Sequence, residues 1–116
     1  MTDNDLGRVV AFARHSDPDT SHEAADRVNG RIRELHLAVL RYAASVRAFT
    51  DPAMNAHFGT HSSTYRTRRA ELVDRGAIED TQIREVLGDG GRRHALWRIT
   101  DRGRAILMAH ERPDAA

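Results

Sequence analysis

The 116-residue chain is 40% apolar and carries 18 basic residues, 17 acids and seven histidines, a net charge of +1 with histidine neutral. That suffices for one domain with one modest core, and excludes a deep substrate cavity with a second lobe. The absence of cysteine excludes disulfides, thiolate metal sites and cysteine nucleophiles.

No run reaches the length of a membrane span. The opening MTDNDLGRVV lacks the basic start and apolar run of a signal peptide, so the expected compartment is the cytoplasm. Every basic side chain is arginine, with seven arginines and five acids in residues 84–116 against three and six in residues 1–30. Such exclusive use of arginine fits GC-rich coding; arginine forks also suit phosphate and guanine.

Residues 1–19 read as irregular. Next, Thr20 or Ser21 caps a short accessory helix, with Glu23 in its first turn and Ala24, Ala25 and Val28 on its apolar face; Gly30 ends it. The strongest helix follows at 31–47. Its Ile32, Leu35, Val39, Tyr42, Ala43 and Val46 form a core stripe, widened by His36 and Leu40. Thr50-Asp51-Pro52 starts a short helix that buries Met54 and Phe58, and Gly59 turns the chain.

The stretch HSSTYRTRRAELVDRG at 61–76 predicts a helix over 62–75, capped by Ser62 or Ser63 and stopped by Gly76. At about 100° per residue, Tyr65, Leu72 and Val73 share one face and Ser63, Thr67 and Ala70 the other, flanked by Thr64 and Arg66. A small, hydroxyl-bearing face edged with a guanidinium can approach base edges in a major groove closely. A short helix, a glycine turn and a second helix make the helix-turn-helix layout.

Beyond Gly76 the period becomes two. Residues 77–87 read as a strand that 79–81 can bend, GDGGRR at 88–93 as a turn, and 94–99 as a second strand with Ala95, Trp97 and Ile99 inward and His94, Leu96 and Arg98 outward. Thr100-Asp101 caps a last helix with Ala105, Ile106 and Leu107, and residues 111–116 fray. The expected fold is α+β, mainly α, with the domain at 20–110.

The stretches SSTYRTRRAELVDRGAI and GGRRHALWRITDRG resemble the recognition helix and wing of MarR-type and related winged-helix regulators. Trp97, Ile99, Thr100 and Gly103 match the run that closes the second strand of that hairpin. DPDTSHEAA is similar to the openings of small winged-helix proteins of phages and prophages, especially of actinobacteria. The resemblance spans roughly residues 17–108. It implies a winged helix-turn-helix, a three-helix core plus a β-hairpin wing with an N-terminal accessory helix and a short C-terminal helix. It also implies a double-stranded DNA partner in a bacterial host cell. The DNA-contacting set is then Ser62, Ser63, Thr64, Arg66, Thr67 and Arg68 on the helix, with Arg92 and Arg93 on the wing.

One departure is that MarR-type helices usually carry apolar residues where this chain has Arg68 and Arg69; either these pair with acids, or the helix is rotated. The accessory helix and the 105–107 helix are candidate dimer surfaces. Two rival readings are a winged-helix module binding a host protein and a DNA-binding accessory of replication or excision. No enzyme is expected, nor a cofactor or metal. GDGGRR fits neither GxGxxG nor a P-loop, Ser62 and Ser63 lack a nucleophile elbow, and Gly59 breaks the spacing of His57 and His61. Those two histidines read as turn residues, or His61 as a phosphate contact.

Overall fold

The computed structural model describes residues 18–88 and 90–111. The expectations for residues 1–17 and for most of the 111–116 tail lie outside them. The chain divides into two compact units, Met1–Leu35 and His36–Ala116. Among the described residues it is α+β and mainly helical, with four helices and one two-stranded antiparallel hairpin.

Helix α1 runs without interruption from Pro18 to Ser45. The accessory helix and the scaffold helix are therefore one element, which also starts ahead of the expected caps at Thr20 and Ser21. A glycine inside a helix costs only about 1 kcal/mol relative to alanine. Gly30 is not among the left-handed glycines, and strong helix formers follow it. A proline likewise fits the first helical position, where its missing N–H leaves no bond unmade. Within the first unit Ala25 is buried and Val28 is exposed.

In the second unit, α1 contributes Val39, Leu40, Tyr42 and Ala43 to the core, as the stripe requires. Thr50 then caps α2 (Asp51–Phe58): its Oγ accepts from the Ala53 N–H at 3.2 Å, and Met54 is buried. Gly59 closes this helix with φ 68°, the left-handed conformation that glycine adopts at no steric cost. Just before α2, Phe49 and Trp97 exchange both backbone hydrogen bonds, at 2.9 and 2.7 Å. This rung was not expected, because no alternating run surrounds Phe49.

Helix α3 (Thr64–Asp74) stops at a Schellman motif. The Gly76 N–H donates to Val73 O at 3.0 Å and the Ala77 N–H to Leu72 O at 2.9 Å, with φ 77° at Gly76. Strands β1 (Ile78–Leu87) and β2 (Arg92–Ile99) pair antiparallel, with Ile78 opposite Ile99 and Leu87 opposite Arg92. The register shifts between Asp80 and Arg84, where the bend was expected. There Asp80 accepts from the Gln82 N–H at 2.8 Å and from both terminal nitrogens of Arg84 at 2.9 and 3.0 Å, while Gln82 takes φ 71°. The Arg84 guanidinium and then the Gln82 N–H hold the Asp80 carboxyl below its usual range.

Helix α4 (Asp101–Glu111) begins at a tight junction with the start of the hairpin. The Thr100 hydroxyl donates to Gly76 O at 2.6 Å and accepts from the Gly103 N–H at 3.0 Å. The Thr100 N–H donates to Ala77 O at 3.0 Å. A Cβ on Gly103 would overlap that same Ala77 carbonyl and come 2.8 Å from Ile99 Cγ1. Packing thus accounts for the spacing of Thr100 and Gly103: the threonine ties two element ends together, and the glycine lets the helix sit against backbone. Among the described residues no helix is long and apolar enough to cross a membrane.

Candidate nucleic-acid interface

Helix α3 sorts its side chains into two rows. Tyr65, Arg68, Arg69, Leu72 and Val73 turn inward and are buried or half-buried, with Leu72 only 2% exposed. Tyr65 stacks flat on Phe58 of α2, ring centroids 3.9 Å apart. Arg69 reaches both carboxylate oxygens of Asp51 at 2.9 and 2.6 Å, and its guanidinium lies 4.0 Å from the centre of the Trp97 ring. One arginine thus joins α2, α3 and β2 through a fork and a cation–π contact.

Arg68 corrects an expectation. The resemblance groups it with the outward contacts, yet it is buried, and its Nη2 donates to Glu71 at 3.2 Å. Its Nε lies 3.0 Å from the second Glu71 oxygen without the angle for a hydrogen bond. The reason is helical spacing: residue 68 lies in line with Tyr65 and Leu72, at i+3 and i−4. Of the two alternatives for Arg68 and Arg69, pairing with acids is the one realised.

Glu71 also meets His36 of α1, whose Nε2 lies 2.6 Å from Oε1. The other imidazole nitrogen, Nδ1, faces Arg75 Nη1 at 3.4 Å. Because a guanidinium only donates, this assigns the ring hydrogen to Nε2. Burial pushes the His36 pKa below its ordinary value, helped by Arg75 and Arg68 and opposed by Glu71. The neutral ring thereby fixes the inner side of α3 against α1.

The outward row is Ser62, Ser63, Thr64, Arg66, Thr67 and Ala70, all exposed. Ser63 sits at the cap position, but its hydroxyl makes no capping bond. Ser62 does that work instead: its Oγ accepts from the Thr64 N–H at 3.3 Å and belongs to a hydroxyl chain with Thr60 and Thr64, each link 3.1 Å. The Ser63 hydroxyl is left facing solvent. Arg66 has no carboxylate partner among the described residues.

Arg92 and Arg93 are exposed and also lack a described carboxylate partner, whereas Arg84 and Arg98 on the same hairpin pair with Asp80 and Glu79. They do not sit in the turn, as their place in the 88–93 stretch suggested. They occupy the first rungs of β2, opposite Leu87 and Val86. The turn is closed by Gly88 and Gly91, at φ 75° and 67°.

A concavity of about 590 Å³ links helix and hairpin. Its walls come from Asp51, Pro52, Asn55 and Ala56 of α2, from Gly59, Thr60 and His61 in the turn, from Arg66, and from His94 on β2. Arg66 and the residue after Arg93 therefore open onto one hollow. The part of α2 in this surface and the place of His94 in its wall were not legible in the sequence; the one available signal was the outward place of His94 in the strand alternation. No protein family, no curated protein and no solved structure matches the chain.

Proposed function

We propose that the second unit is a winged helix-turn-helix and that the protein binds double-stranded DNA with sequence specificity, as a phage-type transcription regulator. In this reading α3 enters the major groove and the hairpin lies on the backbone or in the minor groove. The observation that carries it is how α3 divides its polar groups. Arg68 and Arg69 are spent on carboxylates inside the fold, while Arg66, Ser63 and Thr67 face outward without such partners.

A guanidinium free of acids can form a fork on guanine, and the short hydroxyl side chains let the helix approach the base edges. Arg92 and Arg93 supply charge for phosphates or for a narrow minor groove. The concavity shared by Arg66 and His94 supports one duplex meeting both pieces. The order of helix, single strand rung, two helices and hairpin supports the fold assignment, and the regulatory role follows from the resemblance to MarR-type proteins.

Selection of bound duplexes from a random DNA library tests the proposal. The expected outcome is an enriched motif whose affinity falls steeply with salt. A library that stays unenriched, with no salt-dependent retention, refutes it.

A further inference from the structure

The hollow between α2, α3 and the hairpin presents donors with little to oppose them. His61 is exposed, His94 is half-buried, and Arg66 stands beside them. None of the three has a carboxylate partner among the described residues. The acid in the wall, Asp51, has both oxygens engaged by Arg69. The hollow is thus lined by a fixed cation and two imidazoles, and each imidazole keeps an N–H to donate even when neutral. The hollow, about 590 Å³, is open to solvent and does not enclose a ligand. An acidic group that arrives with attached bulk fits better than a free anion.

We propose that this hollow grips one phosphodiester of the DNA backbone, with His61 and His94 as phosphate contacts beside Arg66. The inference rests on the DNA-binding reading and extends the contact surface from α3 and the hairpin arginines to the turn before α3 and to β2. Phosphate contacts set register and carry no sequence information directly. The two histidines therefore raise affinity for every duplex alike and leave the preferred motif unchanged.

The test uses the full chain and a duplex taken from the library selection, remade as a series with one neutral methylphosphonate at each position. Beside any positions met by Arg92 and Arg93, the parent protein should lose roughly tenfold in affinity at one further position on each bound site, the size of one charge-assisted hydrogen bond. The paired variant His61→Gln with His94→Gln should bind the unmodified duplex more weakly and lose its sensitivity at that position. Single His61→Ala, at an exposed turn residue, gives the same readout if the half-buried His94 does not tolerate change.

If duplex binding is intact but the variants keep the parent's methylphosphonate profile, the histidines are not phosphate contacts and the inference falls alone. If the ring signals of His61 and His94 shift on adding inorganic phosphate and not on adding duplex, the hollow serves a small anion and the inference again falls. If no duplex binds the parent, the DNA-binding reading fails and takes the inference with it.

Discussion

Two glycine-to-alanine substitutions, both inside helices, should move stability in opposite directions. At Gly30 an added Cβ meets nothing within 4 Å and the backbone is helical. Gly30→Ala should stabilise α1 by roughly 0.5–1 kcal/mol, the ordinary helix-propensity difference. At Gly103 the same propensity gain is available, but the Cβ runs into Ala77 O, with Ile99 Cγ1 2.8 Å away. The obstructing atom is backbone, so no rotamer change relieves the contact. The start of α4 must back away by about 1 Å, an overpacking cost of roughly 1–3 kcal/mol. That movement also strains the Thr100 N–H bond to Ala77 O at 3.0 Å, a bond worth about 1 kcal/mol.

With the propensity gain set against these costs, Gly103→Ala should destabilise the fold by about 2 kcal/mol and lower Tm by roughly 8–10 °C for a domain of this size. Urea titration followed by circular dichroism gives the first value, and a thermal melt the second. A Gly103→Ala protein within about 0.5 kcal/mol of the parent would refute the claim that the spacing of Thr100 and Gly103 reflects a backbone contact.

Arg66→Ala should cost about 1–3 kcal/mol of binding to the selected duplex and relax the preference at one base position; repeating the library selection with the variant reads this directly. Arg92→Ala combined with Arg93→Ala should weaken binding to all sequences and flatten the dependence of log affinity on log salt by about 1–2; an unchanged slope removes the hairpin from the phosphates. His36 supplies a pH test. Because burial lowers its pKa from 6.5, the unfolded chain takes up a proton that the folded chain resists. Stability should therefore fall as the pH drops below about 6.5, by at most about 1.4 kcal/mol per pH unit from this group. His36→Gln keeps a donor for Glu71 and should show a shallower acid slope in urea midpoints, whereas equal slopes would mean that the ring is not held neutral.

Periodicity and turn chemistry were enough to place most elements of this protein. Local rules work where neighbours in sequence decide the outcome: Thr50 and Gly59 bound one helix because capping is a matter of a few residues, and Gly76 stops another because only a left-handed residue completes that turn. The α1 stripe through Val39 and Tyr42 was legible because an amphipathic period reports one buried side without naming what covers it. Likewise, the outward row of Ser63, Arg66 and Thr67 followed from helical phase alone.

Tertiary structure decided what depended on distant partners. Arg69 looks like a surface cation until Asp51, 18 residues away, and Trp97 on the hairpin enclose it. The Phe49 rung on β2, the backbone contact at Gly103, and the hollow joining Arg66 to His94 each join residues far apart in the chain. No window of neighbouring residues contains them, because the energy that selects them arises only when separate elements close on one another.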